Sequence, residues 1–254
     1  MINLLAIERR QKITEIIQKD KRALVSDLSK RFNVTEETIR RDLEKLEKEG
    51  IVTRTYGGAI LNQHTNVDLP FATRKDINIP IKQEIAKKAI NYIDERDSLF
   101  VDSSSTCFEL VKLLENNRIV TVITNSAKIL NEISSDSLHI ISTGGTLRPY
   151  SSSLVGSIPQ ETVKKYNTDW AILSCKGIDM NRGIMDSNEL DAELKKVMVQ
   201  QASKTMMLVD HTKFDKVAFS SFLDFQQIDY LVTDKKPSDE WIKFLHEQNV
   251  TVIY

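Results

Sequence analysis

Four hydroxyl-bearing side chains stand in a row at Ser103-Ser104-Ser105-Thr106, directly after Asp102. Ser98 to Asp102 reads as a strand, and a helix is expected from about Thr106 to Leu114. That order gathers hydroxyls and unpaired backbone N–H groups at a positive helix end, which suits a phosphate. The competing reading is a serine-rich turn that caps its own helix. Thr124-Asn125-Ser126 and Gly144-Gly145-Thr146 also follow expected strands, so three polar loops could line one crevice. Asp102 either accepts hydrogen bonds from sugar hydroxyls or holds its own loop. Lys176 follows the apolar run Trp170 to Cys175, and Lys213 follows a strand ending at Asp210. Either ammonium is a compact charge for phosphate or carboxylate, although a solvated surface is the commoner fate of lysine. Glu189 and Asp191, after Asp186-Ser187-Asn188, are either hydroxyl acceptors or acids that complement a helix start.

A second group of residues carries different chemistry. Thr35 can cap a helix running to Glu49 and closed by Gly50. At about 100° per residue, Ile39, Leu43 and Leu46 share one face. Glu37, Arg41, Glu44 and Lys45 lie opposite, with Thr38 and Arg40 on the shoulders. Arginine pairs bidentately with guanine or grips a phosphate, and threonine touches a phosphate or a thymine methyl. The bland alternative is a solvated face, with Arg40 and Arg41 paired to Glu36, Glu37 and Glu44.

The surrounding elements decide between these readings. Helices are expected over Glu8 to Lys19 and Ser26 to Phe32, separated by the polar break Asp20-Lys21-Arg22. After the third helix the pattern becomes extended, and Gly57-Gly58 between two such runs signals a hairpin. Helix, helix, turn, helix, hairpin is the order of a winged helix-turn-helix. Its last helix enters the major groove by its N-terminal part. Thr35, Thr38, Arg40, Arg41 and Lys45 then face the duplex, and Arg54 and Tyr56 on the wing reach the adjacent backbone. Residues 1–61 form this domain and 62–79 a linker. From residue 80 short β-branched strands alternate with helices, which argues for a mostly parallel sheet covered on both faces.

Composition narrows the function classes. The 254 residues carry 35 basic and 36 acidic side chains, a near-neutral balance that, taken whole, argues against a nucleic-acid binder, although the average conceals an uneven distribution. Residues 1–58 hold 13 basic and 10 acidic side chains, a net of +3 that suits a small DNA-facing segment. Cys107 and Cys175 cannot build a disulfide framework or a four-ligand zinc site, and the four histidines show no metal spacing. Cys107 reads as a small buried residue, and the pairs Lys195-Lys196 and Lys235-Lys236 as solvated faces. No apolar run spans a membrane and no signal peptide is evident, so a cytoplasmic protein without a membrane partner is expected. No cofactor, metal or catalytic residue is expected.

Thr35-Glu36-Glu37-Thr38-Ile39-Arg40-Arg41-Asp42-Leu43, then Leu46-Glu47-Lys48-Glu49-Gly50 and Tyr56-Gly57-Gly58-Ala59, resembles the signature of DeoR-type transcriptional regulators. The resemblance continues through Pro70-Phe71, Arg74, Gly144-Gly145-Thr146-Leu147-Arg148, Leu154-Val155-Gly156, Lys176-Gly177-Ile178 and Lys213-Phe214. It implies a sensor domain related to ribose-5-phosphate isomerase and the CoA-transferase superfamily over residues 80–254. It also implies a repressor of a sugar or related carbon-metabolism operon, answering to a phosphorylated sugar. Reading a double-stranded operator implies a homo-oligomer. The family usually carries Gly-Ala-Asp-Gly where this chain has Ser174-Cys175-Lys176-Gly177. Lysine in place of the acid reverses the local charge and weakens the alternative, an isomerase-like enzyme with a helix-turn-helix appendage.

Overall fold

The computed structural model describes residues 5–48, 51–61, 68–115 and 118–254, in two compact units, Met1–Thr73 and Arg74–Tyr254. The expected helix closure at Gly50 and positions 62–67 of the expected linker lie outside the described residues.

In the first unit α1 (Ala6–Asp20), α2 (Val25–Phe32) and α3 (Glu36–Lys48) bury Ile13, Ile17, Leu28, Ile39, Leu43 and Leu46 in one core. These side chains recur at helical spacing, so each helix presents one apolar stripe. Asn33 in the left-handed region (φ 51°) ends α2. Thr35 Oγ1 accepts from Thr38 N at 3.2 Å and so caps α3. The expected polar break at Asp20-Lys21-Arg22 is a turn into a strand. Lys21 takes φ 64°, and β1 (Arg22–Leu24) pairs antiparallel with β3 (Gly58–Leu61), which pairs with β2 (Val52–Thr55). The hairpin turns at Tyr56-Gly57, so Gly58 already belongs to β3. A Cβ on Gly58 would lie 2.1 Å from Ala23 O, which is why β1 can approach there.

The unit boundary falls within α4 (Phe71–Asp76), a short helix inside the stretch expected as linker. The second unit runs α5 (Ile79–Ala89), β4 (Ser98–Val101), α6 (Ser105–Glu115), β5 (Val120–Thr124), α7 (Ala127–Glu132) and β6 (Leu138–Ser142). Next come β7 (Thr146–Arg148), β8 (Ser153–Val155), α8 (Ser157–Val163), β9 (Thr168–Ser174), β10 (Gly177–Asp179) and β11 (Gly183–Asp186). The chain closes with α9 (Glu189–Gln200), β12 (Ala202–Leu208), β13 (Ser220–Leu223), β14 (Tyr230–Val232), α10 (Asp239–Glu247) and β15 (Thr251–Ile253).

Seven strands form a parallel sheet in the order β15-β14-β12-β9-β4-β5-β6. Leu99, Phe100, Val101, Ala171, Ile172, Leu173, Met206, Met207 and Leu208 in the central strands are fully buried. Continuous burial, rather than alternation, marks a sheet covered on both faces. The β7–β8 hairpin and the antiparallel sheet β10-β11-β13 stand apart from it. Strand order runs outward from β4 through β5 to β6, then returns to β9 on the other side of β4. That reversal is a topological switch point, where loops part to leave a crevice at the carboxyl ends.

Candidate functional site

On the first unit, Arg40, Arg41 and Lys45 are exposed and Thr38 is half-buried. Arg40 Nη2 lies 2.6 Å from Glu36 and Arg41 Nε 3.3 Å from Glu37, so the bland pairing is present too. Both pairs are exposed i,i+4 contacts worth only ~0.3–0.5 kcal/mol, which a nucleic-acid phosphate readily outcompetes. Arg54 Nε pairs with Glu47 on α3 at 2.7 Å, and Arg54 N donates to the same carboxylate at 2.9 Å. The backbone and side-chain donors of Arg54 hold the Glu47 carboxyl below its ordinary value. The wing is thereby fixed to the helix it flanks, and Tyr56 stands fully exposed at the hairpin tip.

Asp42, on the buried side of α3, sets the pose of this surface. Its carboxylate holds Arg9 at 2.6 Å and Arg10 at 3.6 Å, and Asp42 and Arg9 are both buried. Asp42→Ala should leave the Arg9 guanidinium buried without its partner. A loss of about 3–5 kcal/mol in stability of the first unit is expected. Thermal unfolding followed by circular dichroism checks it, and an unchanged first-unit transition refutes it.

On the second unit, the switch point brings Asp102 (after β4) against Ser174 (end of β9). Asp102 Oδ1 accepts from Ser104 N, and Oδ2 accepts from Ser174 N, both at 2.9 Å. Asp102 therefore holds its own loop and the neighbouring strand end. Lys195 on α9 completes the cluster, with Nζ 3.0 Å from Asp102, 2.5 Å from Asp186 and 2.7 Å from Ser174 O. Burial alone pushes the Asp102 carboxyl up, but Lys195 and the Ser104 and Ser174 donors outweigh it and hold it low. Burial likewise pushes the Lys195 ammonium down, and the two carboxylates reverse that shift and hold it well above its ordinary value. Reading Lys195 as a solvated face is thus corrected, while Lys196 beside it is exposed. The signal was in the spacing: Asp191, Ala192, Leu194, Lys195 and Met198 form the buried stripe of α9.

In the bend, Ser104 Oγ caps α6 by accepting from Cys107 N at 3.1 Å. Ser103, Ser105 and Thr106 are buried, so the row of hydroxyls is less open than its sequence suggests. Among the described residues, no hydrogen bond engages these three hydroxyls or the N–H groups of Ser105 and Thr106. These donors sit at the positive end of an eleven-residue helix. Thr124 differs: its hydroxyl donates to Val101 O at 2.7 Å and accepts from Ser126 N, so it ties β5 to β4. Asn125 is buried, with Nδ2 donating to Leu154 O at 3.2 Å. Gly144 is half-buried and Gly145 exposed; a Cβ on Gly145 would meet Pro159 of α8 at 2.4 Å.

Lys213 Nζ lies 3.9 Å from Asp210, where burial is outweighed by Lys213 and Thr212 and the Asp210 carboxyl is held low. Lys82, which the sequence did not single out, is buried nearby, its Nζ donating to Ile77 O at 2.6 Å and to Arg74 O. Burial, and then repulsion from Lys213, lower its ammonium to about 8. Lys176 is half-buried at the end of β9. Glu189 is exposed in the first turn of α9, the placement its helix-start reading requires. Asp191 instead pairs with Arg148 at 2.5 Å; burial pushes its carboxyl up. His211 pairs with Asp234 at 2.6 Å. Both cysteines are buried, and burial raises both thiols, Cys175 to about 12. Among the described residues no group of acids, histidines and cysteines is placed to hold a metal, and no helix is long and apolar enough to cross a membrane.

Comparison with known proteins bears on both units. Residues 9–65 match the DeoR-like helix-turn-helix domain, and residues 77–235 match the DeoR C terminal sensor domain. The Bacillus subtilis HTH-type transcriptional regulator YulB, itself uncharacterized, is 38% identical over 98% of this chain and 96% of its own. A provisionally named aga operon transcriptional repressor of Escherichia coli O157:H7 is 30% identical over 97% of this chain and 93% of its own. Among solved structures, ribose 5-phosphate isomerase A of Methanocaldococcus jannaschii shares 16% identity at a TM-score of 0.39. It covers 54% of this chain and 55% of its own, a likeness of fold alone. Matched across both units, the chain belongs to the DeoR family of transcriptional regulators, DNA-binding proteins rather than enzymes.

Proposed function

We propose that this regulator represses an operon of sugar or related carbon metabolism and is controlled by a phosphorylated sugar bound at the switch point of its second unit. The observation that carries the reading is the bend into α6. Three unpaired hydroxyls and two N–H groups without partners lie at a positive helix end, beside the Asp102–Lys195–Asp186 cluster. A phosphate supplies the acceptors these donors lack. Thr35, Thr38, Arg40, Arg41, Lys45, Arg54 and Tyr56 form the operator-facing surface, and two copies of the chain read two half-sites. The effector acts by linkage: it binds one arrangement of the oligomer better, and operator affinity changes by roughly 5–150-fold, a coupling of ~1–3 kcal/mol.

The test is a titration of the full chain with inorganic phosphate and a panel of phosphorylated sugars, reading melting temperature and binding to DNA from upstream of its own gene. One member should raise the melting temperature and shift DNA affinity; a panel without effect on either refutes the reading. Ser104→Glu places a carboxylate where the phosphate would sit. It should abolish the effector response and spare DNA binding, and an unchanged response moves the site elsewhere.

A further inference from the structure

The β7–β8 hairpin forms a sheet of its own. Its roots are Gly144 and Gly145 before β7 and Gly156 after β8, with φ of 68°, 110° and 105°. Residues with a Cβ rarely adopt these values, so both roots bend where the chain is least restricted. β7 lies toward solvent, whereas β8 is buried, packs on α7, α8 and α9, and bridges Ser126 through Ser153. Leu154 N donates to Asn125 O at 2.7 Å, and Ala127 N donates to Ser152 O at 2.9 Å. Arg148 reaches from β7 to Asp191 on α9.

Two polar atoms beside these pins are unusual. Asn125 Oδ1 and Asp191 Oδ1 are buried and, among the described residues, accept no hydrogen bond. Buried acceptors normally find a donor. Both flank β8: Asn125 bonds Leu154, and the Ser153 hydroxyl, bonded to Ser151 at 2.7 Å, also lies against the Asp191 carboxylate as a hydrogen-bonding neighbour. Asn125 also stands beside the bend, because Thr124 and Val101 are register partners and Asn125 and Asp102 follow them. Donors at the start of α6 suit a phosphate, and an amide oxygen and a carboxylate cannot serve it. They suit hydroxyls. A phosphorylated polyol carries both ends.

We propose that Asn125 and Asp191 are the hydroxyl-reading residues of the effector cleft, covered by the β7–β8 hairpin as a lid latched by Arg148. The lid lifts on its glycine roots, ligand hydroxyls donate to the two buried oxygens, and the hairpin closes again over them. The proposal rests on the phosphorylated-sugar reading, and its test separates the two.

The full chain is titrated calorimetrically with inorganic phosphate, ribose 5-phosphate, fructose 6-phosphate and sorbitol 6-phosphate. At least one sugar phosphate should bind ten-fold or more tighter than inorganic phosphate. Asn125→Ala and Asp191→Ala should each erase that margin while leaving phosphate affinity unchanged. A margin that survives both variants overturns the subsite, as does wild-type protein that binds phosphate and sugar phosphates alike; in that case the phosphate reading stands. Binding of none of the four refutes the phosphate reading and the subsite together.

The lid is judged without ligand, by amide hydrogen exchange. Arg148→Gln should speed exchange at Leu154 N at least ten-fold, with Ile172 and Met207 in the central sheet unchanged. Arg148→Lys should restore protection. Unchanged Leu154 exchange, or acceleration spread equally through the sheet, overturns the lid.

Discussion

Lys195→Met should cost the second unit about 3–5 kcal/mol, because it strands the buried Asp102 carboxylate and the half-buried Asp186 carboxylate at once. Lys195 and Asp102 are among the least exposed charged residues, and Lys195 reaches Asp102, Asp186 and Ser174 O through one ammonium. For a unit of this size the melting temperature should fall by roughly 6–20 °C. The sign with pH is fixed by the directions of the shifts. The raised Lys195 contributes stability below its unfolded value and loses it only in strong alkali. The lowered Asp102 contributes above its unfolded value and loses it in acid. The wild-type contribution is therefore flat through neutral pH and declines in acid, and the variant should lack that acid decline. Adding Asp102→Asn and Asp186→Asn should recover part of the loss, since the uncompensated charges are then removed. A decrease below 1 kcal/mol for Lys195→Met would show that the cluster relaxes or hydrates.

The second large effect concerns the operator. Arg40→Ala and Arg41→Ala should each weaken DNA binding about 10- to 100-fold, equivalent to ~1.4–2.7 kcal/mol. Folding stability should change by less than about 0.5 kcal/mol, because both side chains are exposed and their pairs with Glu36 and Glu37 are surface contacts. Fluorescence anisotropy at several salt concentrations separates the roles. A phosphate-gripping arginine lowers the salt slope by about one when removed, whereas a base-reading arginine relaxes sequence preference at one position. Wild-type affinity in both variants would remove α3 from the interface.

Much of the fold was legible because periodicity reports burial. The stripe Ile39, Leu43 and Leu46 and the buried run Trp170 to Leu173 each declare their element. What stayed hidden has no single physical cause. β1, β7, β8 and β10 are three-residue strands outside the parallel sheet, without the apolar β-branched runs that betray the equally short β14 and β15. The Gly57-Gly58 pair marked the hairpin, yet the second glycine is needed for the approach of Ala23, a tertiary fact. At the cleft, Asp102 was found because it ends a strand. Lys195 was missed because a charged pair on a helix reads as solvated unless the buried stripe is counted through it. Lys82 was missed for a different reason: its ammonium meets the carbonyls of Arg74 and Ile77 only in the folded chain.

The burial of both sulfurs has a practical corollary. A thiol reacts as its anion, and Cys107 and Cys175 are enclosed and held protonated. Alkylating or oxidising reagents reach Cys107, which has no exposure, only when the second unit opens, and Cys175 stays largely shielded until then. The labelling rate is thus a clock for that opening, and a metabolite that steadies the closed form should slow it without ever touching sulfur.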